Sequence, residues 1–161
     1  MSTTLTTESK TVPAKSLRGA CNLFLKDLQA LPEEAFKKDF GGKTRTVADI
    51  VYEVNLVNDH VGMVIRGEEP FVWPEGAAWI KAPEGFGAKD DVIAAFQKSS
   101  EKIISTVDAY SVEELEAPLQ TEDGETNRAE RCRFMTLHVW YHGGQLNFIQ
   151  TLLGDDAWHW K

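Results

Sequence analysis

The sequence predicts an all-α domain, a four-helix bundle, and three observations predict it. Four stretches place apolar residues three and four positions apart, the spacing that lines one face of an α-helix. Glycine, proline and capping pairs separate these stretches. No run alternates apolar and polar residues well enough to be read as a strand. Four amphipathic faces with no sheet to cover them are buried most simply against one another.

Residues 1–13 are rich in threonine and serine with little to bury, so a frayed, disordered arm is expected there, ahead of a helical domain over 14–161. From about 14 to 30, Leu17, Cys21, Phe24, Leu25 and Leu28 share one helical face, and Pro32 closes the first helix. Gly41 and Gly42 mark a turn, and Thr46 followed by Asp49 resembles a capping pair that opens helix two. Its inner stripe is Val47, Ile50, Val51, Val54, Val57, Val61, Val64 and Ile65, and Gly67 and Pro70 stop it. So many valines favour a strand, but the period held over this length favours helix.

Residues 67–88 hold three prolines, four glycines and the rings of Phe71, Trp73, Trp79 and Phe86. An ordered aromatic crossover between helices two and three is expected, its rings either sealing one end of the bundle or walling a substrate pocket. The third helix, from about 89 to 110, carries Val92, Ile93, Phe96, Ile103, Ile104 and Val107 on one side. Ser111 with Glu114 caps a short turn ending at Pro118, and the segment 120–126 is polar and contains Gly124. The last helix runs from about 128 to 153 and stops at Gly154.

A chain of 161 residues with 42% hydrophobic content suits one domain with a real core. A net charge of -8 repels polyanions, which argues against a nucleic-acid partner. The run Arg128, Arg131 and Arg133, interrupted by Glu130, reads as a solvated helix start. Nothing approaches the roughly 18 to 20 apolar residues of a membrane span, and the N-terminus lacks a basic segment followed by an apolar one, so a cytoplasmic protein with no membrane partner is expected. Cys21 and Cys132 lie in helical patterns without CxxC spacing and are expected to be buried, unreactive thiols. Only Cys132, near a helix start, has a setting in which a thiol could be activated.

The residues with chemical potential lie in HVWYHGGQLNFIQ, where His138, His142 and Gln145 stand four and three residues apart on one face of the last helix. Phe134, Tyr141, Phe148 and Leu152 belong to the same broad face, which places the imidazoles against the core, where polar groups need partners. A divalent metal ion satisfies two histidines one turn apart; so does a hydrogen bond to a carboxylate or between the rings. Gly143 and Gly144 follow in mid-helix, at a cost of about 1 kcal/mol each relative to alanine, so close approach of another helix or room for a ligand is expected beside them. A third ligand must come from elsewhere, and helix two offers Glu53 and His60, two turns apart on the flank of the valine face. Geometry from the sequence leaves both open.

The order of elements, the HxxxHxxQ run at His138, His142 and Gln145, and the opening RTVADIVYE from Arg45 to Glu53 resemble the DinB-like superfamily of four-helix metalloproteins, also called DinB/YfiT-like. The resemblance covers nearly the whole ordered chain. It implies a divalent metal (zinc, nickel or iron) held by one histidine of helix two and two of the last helix. Glu53 stands where that helix-two histidine is usual, so the implied set is Glu53, His138 and His142, with His60 as the alternative third ligand. A carboxylate in that place keeps a workable site and leaves the ion less positive. The resemblance further implies a metal-dependent transferase or hydrolase, above all a thiol-dependent S-transferase or isomerase. Such enzymes use a low-molecular-weight thiol (bacillithiol, mycothiol or glutathione) and act on a small electrophilic substrate; catalytic residues beyond the ligands are not implied. Open positions on the metal would bind thiol or water and lower its pKa. Tyr141 and either Asn55 or Asn58 are candidates for polar wall residues, and His159 in the terminal WHW either folds over the pocket or stays solvated while Trp158 and Trp160 anchor the tail. The competing expectation is a non-catalytic bundle with a metal-free or degenerate site, or a homodimerisation module using exposed aromatics such as Trp140.

Overall fold

The computed structural model describes residues 4–5, 8–73 and 79–161. Its elements run α1 (Val12–Ala30), a single 3-10 turn (Glu33–Phe36), α2 (Val47–Arg66), α3 (Lys89–Asp108), the short α4 (Val112–Glu116), β1 (Pro118–Thr121), β2 (Gly124–Asn127) and α5 (Arg128–Leu152). The four long helices form the expected bundle, with α1 against α5 and α3, and α2 against α3 and α5. Among the described residues no helix is long and apolar enough to cross a membrane.

Capping explains where the helices begin. The Thr46 side chain accepts from the Asp49 amide while the Asp49 carboxylate accepts from the Thr46 amide, a reciprocal box that satisfies two donors at the start of α2. Gly67 ends α2 in the left-handed region, at φ 73°, where a side chain is strained. Ser111 and Glu114 form a second box that opens a true helical turn, α4. Asn127 caps α5 by accepting from the Glu130 amide.

Two parts of the sequence reading are corrected. The polar segment after Pro118 is an antiparallel hairpin, with Leu119 opposite Thr126 and Gln120 opposite Glu125, turning at Gly124 (φ 111°). Strands of four residues with mostly polar side chains are too short to display a period, which is why no alternation was visible. The arm also differs from a frayed one in its described residues. Helix α1 starts at Val12 rather than 14, with Pro13 in its first turn, and Thr11 caps it. The Lys10 and Thr11 amides donate to the Asp108 carboxylate, Leu5 is buried in the core, and Ser9 accepts from the buried Arg18 at 2.7 Å. What holds the arm is the need of Asp108 and Arg18 for partners, which composition does not reveal.

The core is apolar and continuous through all four helices. Phe24 of α1 meets Phe96 of α3 with ring centroids 4.7 Å apart, and Leu17, Leu28, Val54, Ile104, Met135 and Leu146 close around them. Cys21 and Cys132 are buried free thiols, and burial pushes both up to about 12, the inert state expected of them. Helix α5 departs from expectation on its other side. Phe134, Tyr141, Phe148 and Leu152 are 48%, 57%, 61% and 51% exposed, because its core face is made instead by Cys132, Met135, Val139, Leu146 and Ile149. The tail returns to the bundle through Trp160, whose Nε1 donates to Asp27 at 2.7 Å and whose ring meets the edge of Trp140.

Candidate metal centre

Helix α2 passes α5 so that Glu53 faces His138 and His142. The Nε2 atoms of the two histidines lie 3.1 Å apart, and Glu53 Oε1 lies 3.4 Å from His142 Nε2 and 3.9 Å from His138 Nε2. An ion bonded to nitrogen and oxygen at about 2.0 to 2.2 Å in tetrahedral geometry separates its ligand atoms by about 3.3 to 3.6 Å. The three observed edges bracket that value, so these side chains fit a cation with small adjustments.

Hydrogen bonding fixes which atoms face inward. The Gln145 Oε1 atom, 2.8 Å from His142 Nδ1, only accepts, so the Nδ1 nitrogen donates and Nε2 presents a lone pair. That lone pair faces Glu53 Oε1, a second acceptor, and His138 Nε2. A proton on His138 relieves one of these contacts; a cation relieves all of them at once. His142 is 1% exposed and His138 Nδ1 is buried with no partner among the described residues. Burial pushes His138 down to about 4, assisted by the nearby His142 and Arg45, and burial also lowers His142. Both rings are therefore neutral near pH 7, the form that ligates metals.

Glu53 is itself held. Arg45, just before the cap of α2, donates from Nη2 to Glu53 Oε2 at 2.6 Å, and the Ile80 amide of the crossover points at the same oxygen at 3.5 Å. The Ala82 amide donates to Asp49 at 2.8 Å, fastening the crossover along the first turns of α2.

The structure does not bring the other candidates to this group. His60, seven residues along α2, lies about 10 Å further down the helix axis, where it meets Phe71 and Trp73 edge-on at 5.1 and 5.9 Å. Asn58 is buried toward α3, donating to Ser99, and Asn55 accepts from the same hydroxyl through its carbonyl. His159 is half-buried beside Asp155 at 2.8 Å, neither over the centre nor fully solvated. Trp160 anchors the tail through its hydrogen bond to Asp27, and Trp158, 65% exposed, packs on the Trp160 ring with centroids 5.0 Å apart. Arg128 and Arg131 are structural: Arg128 donates to the Ile65 carbonyl and lies over the Tyr110 ring, and Arg131 donates to Thr121.

Beside the group opens a cleft of about 350 Å³, walled by Phe40, Arg45, Trp79, Tyr141, Phe148 and Leu152. Its wall also includes Gln145 and Gly144, so the residues that orient the centre border the cleft. A Cβ added at Gly144 meets nothing within 4 Å, and one at Gly143 reaches only an ordinary 3.8 Å contact with Phe24. Close helix approach therefore does not account for Gly144, which borders the cleft. The aromatic crossover divides its rings: Trp79 walls the cleft, Phe71 and Trp73 pack on His60, and Phe86 packs on Tyr52. Its residues 74–78 lie outside those described. Sequence reasoning missed Arg45 and Phe40, which sit before the helix start where no periodicity reports on facing.

Residues 16–146 match the sequence model of the DinB superfamily. Among solved structures the chain is similar to a histidine-to-alanine variant of a mycothiol-dependent maleylpyruvate isomerase, with a TM-score of 0.60 and 15% identity over 83% of this chain and 59% of that one. At that identity the likeness is one of fold, and this chain spans less than two thirds of that protein's length. No curated protein sequence matches.

Proposed function

The chain belongs to the DinB superfamily, and from that premise we propose a divalent-metal-dependent enzyme that brings a low-molecular-weight thiol to a small electrophile, as an S-transferase or isomerase. The observation behind this reading is the convergence of Glu53, His138 and His142, with ligand atoms 3.1 to 3.9 Å apart, at the side of an apolar cleft. The mycothiol named for the structurally similar isomerase supports the thiol.

A divalent ion held by Glu53 Oε1, His138 Nε2 and His142 Nε2 would supply Lewis acidity, lowering the pKa of a thiol or water in an open position. The protein's own residues set up that environment. Gln145 fixes the His142 tautomer, and burial keeps both rings neutral. Trp79, Tyr141, Phe148 and Leu152 give the cleft an apolar wall that seats the body of the electrophile and limits water, while Gly144 leaves the space open. None of the described wall residues stands out as a general acid or base.

Untagged protein should contain a stoichiometric divalent ion by elemental analysis, and zinc, nickel or iron(II) added to stripped protein should raise its Tm. Thiol consumption is then screened with mycothiol, bacillithiol and glutathione against small electrophiles. Metal-free protein whose Tm ignores all three ions ends the reading; thiol consumption that survives His142→Ala ends its catalytic part. The second reading, a non-catalytic bundle, is favoured by the hydrogen bonds that already engage His142 on both nitrogens. It predicts that His138→Phe leaves every binding property unchanged.

A further inference from the structure

We propose that Arg45 is a positioning residue, which fixes how Glu53 meets the ion and offsets the charge that a carboxylate ligand brings. The inference rests on the metal reading above. Both partners of the pair are largely buried, with side chains 8% and 13% exposed. One nitrogen, Nη2, serves both Glu53 Oε2 at 2.6 Å and the Asp49 carbonyl at 3.3 Å. The guanidinium lies over the Trp79 ring, 5.0 Å from its centroid, and its Nε and Nη1 atoms are buried without hydrogen-bond partners among the described residues.

Among the described residues the one carboxylate that this guanidinium serves is that of Glu53. The arrangement makes sense at the carboxylate. With Oε2 held by Arg45, Oε1 is the oxygen that lies 3.4 Å from His142 and 3.9 Å from His138, so Glu53 presents that atom to them. A carboxylate free to turn offers both oxygens and raises the coordination number. The charge follows the same logic. Two neutral imidazoles, one carboxylate and one guanidinium sum to zero, so a divalent ion held there would keep its double positive charge and its capacity to acidify a bound thiol or water. Glu53 thus acts electrostatically as a neutral ligand while supplying an oxygen.

The test is a double substitution read as zinc affinity, by competition with a chromophoric chelator, with cobalt(II) as a spectroscopic probe. Glu53→His leaves a buried guanidinium unpaired beside the ion, and zinc should bind more weakly than to Glu53→His combined with Arg45→Met, by about 10- to 100-fold. Arg45→Met alone should move the visible spectrum of bound cobalt toward higher coordination and lower intensity, as Glu53 turns to chelate. Equal zinc affinity for the single and double variants overturns the proposal, and so does an unchanged cobalt spectrum in Arg45→Met. Circular dichroism checks folding, and if Glu53→His does not fold, the cobalt spectrum of Arg45→Met decides alone. Wild-type protein that takes up neither ion removes the metal reading and this role with it. Uptake that is indifferent to residue 45 overturns this role only.

Discussion

His142 is the most deeply buried member of the centre, and Gln145 Oε1 is the acceptor that holds its Nδ1 proton in place. Gln145→Leu takes that acceptor away from a ring with no route to water. Zinc affinity should fall by about 10- to 100-fold, whereas Gln145→Glu, which keeps an acceptor there, should retain most of it; chelator competition reads both. His60→Phe tests the ligand set from the other side. Its Nδ1 is buried without a partner among the described residues and its neighbours are aromatic, so zinc uptake should be unchanged and Tm equal or higher. At this scale His138, His142 and Gln145 were legible because a single helix fixes their spacing. Glu53 and His60 were not separable, since which turn of α2 faces α5 depends on how two helices cross. Arg45 opens the RTVADIVYE motif, but its role was hidden because it reaches Glu53 from outside the helix, where no periodic rule applies.

Helix α5 shows most clearly what a pattern reveals and conceals. Its bounds near 128 and 153 are readable from the polar segment before it and from Gly154 beyond its end, but Phe134, Tyr141, Phe148 and Leu152, which the periodicity sets against the core, lie on the exposed side. Hydrophobic residues are common on surfaces, and the sequence does not say which flank a cleft will claim. The glycines give this scale its prediction. Neither Gly143 nor Gly144 is forced by close contact, so Gly143→Ala and Gly144→Ala should each stabilise the protein by up to about 1 kcal/mol in chemical denaturation. Only Gly144→Ala narrows the cleft, so it alone should raise KM for a substrate lodged there. The hairpin and the packed arm escaped the sequence reading for opposite reasons. One is too short to show a period, and the other is ordered by distant partners, Asp108 and Arg18.

Across the whole molecule, Asp27 joins α1 to α5 and to the tail, accepting from Asn147 and from Trp160 Nε1, both at 2.7 Å. Burial raises its pKa, and the Trp160 and Asn147 donors only partly counter this. The folded state therefore holds the proton more tightly than the unfolded one. The stability this group contributes is fully present below the unfolded value of about 3.9 and is lost as pH rises through the raised folded value. Asp27→Asn should flatten that decline, measured as Tm across mildly acidic to neutral pH. Trp160→Phe, which deletes a donor that favours the charged form, should steepen it.

The exposed stripe of Phe134, Tyr141, Phe148 and Leu152 has a consequence for how such a protein can diversify. The side of α5 that secures the bundle and the side that borders the cleft share almost no residues, so substitutions on the open side alter what is selected without loosening what is folded. A single helix thereby lets one scaffold explore new chemistries at little risk to its own integrity.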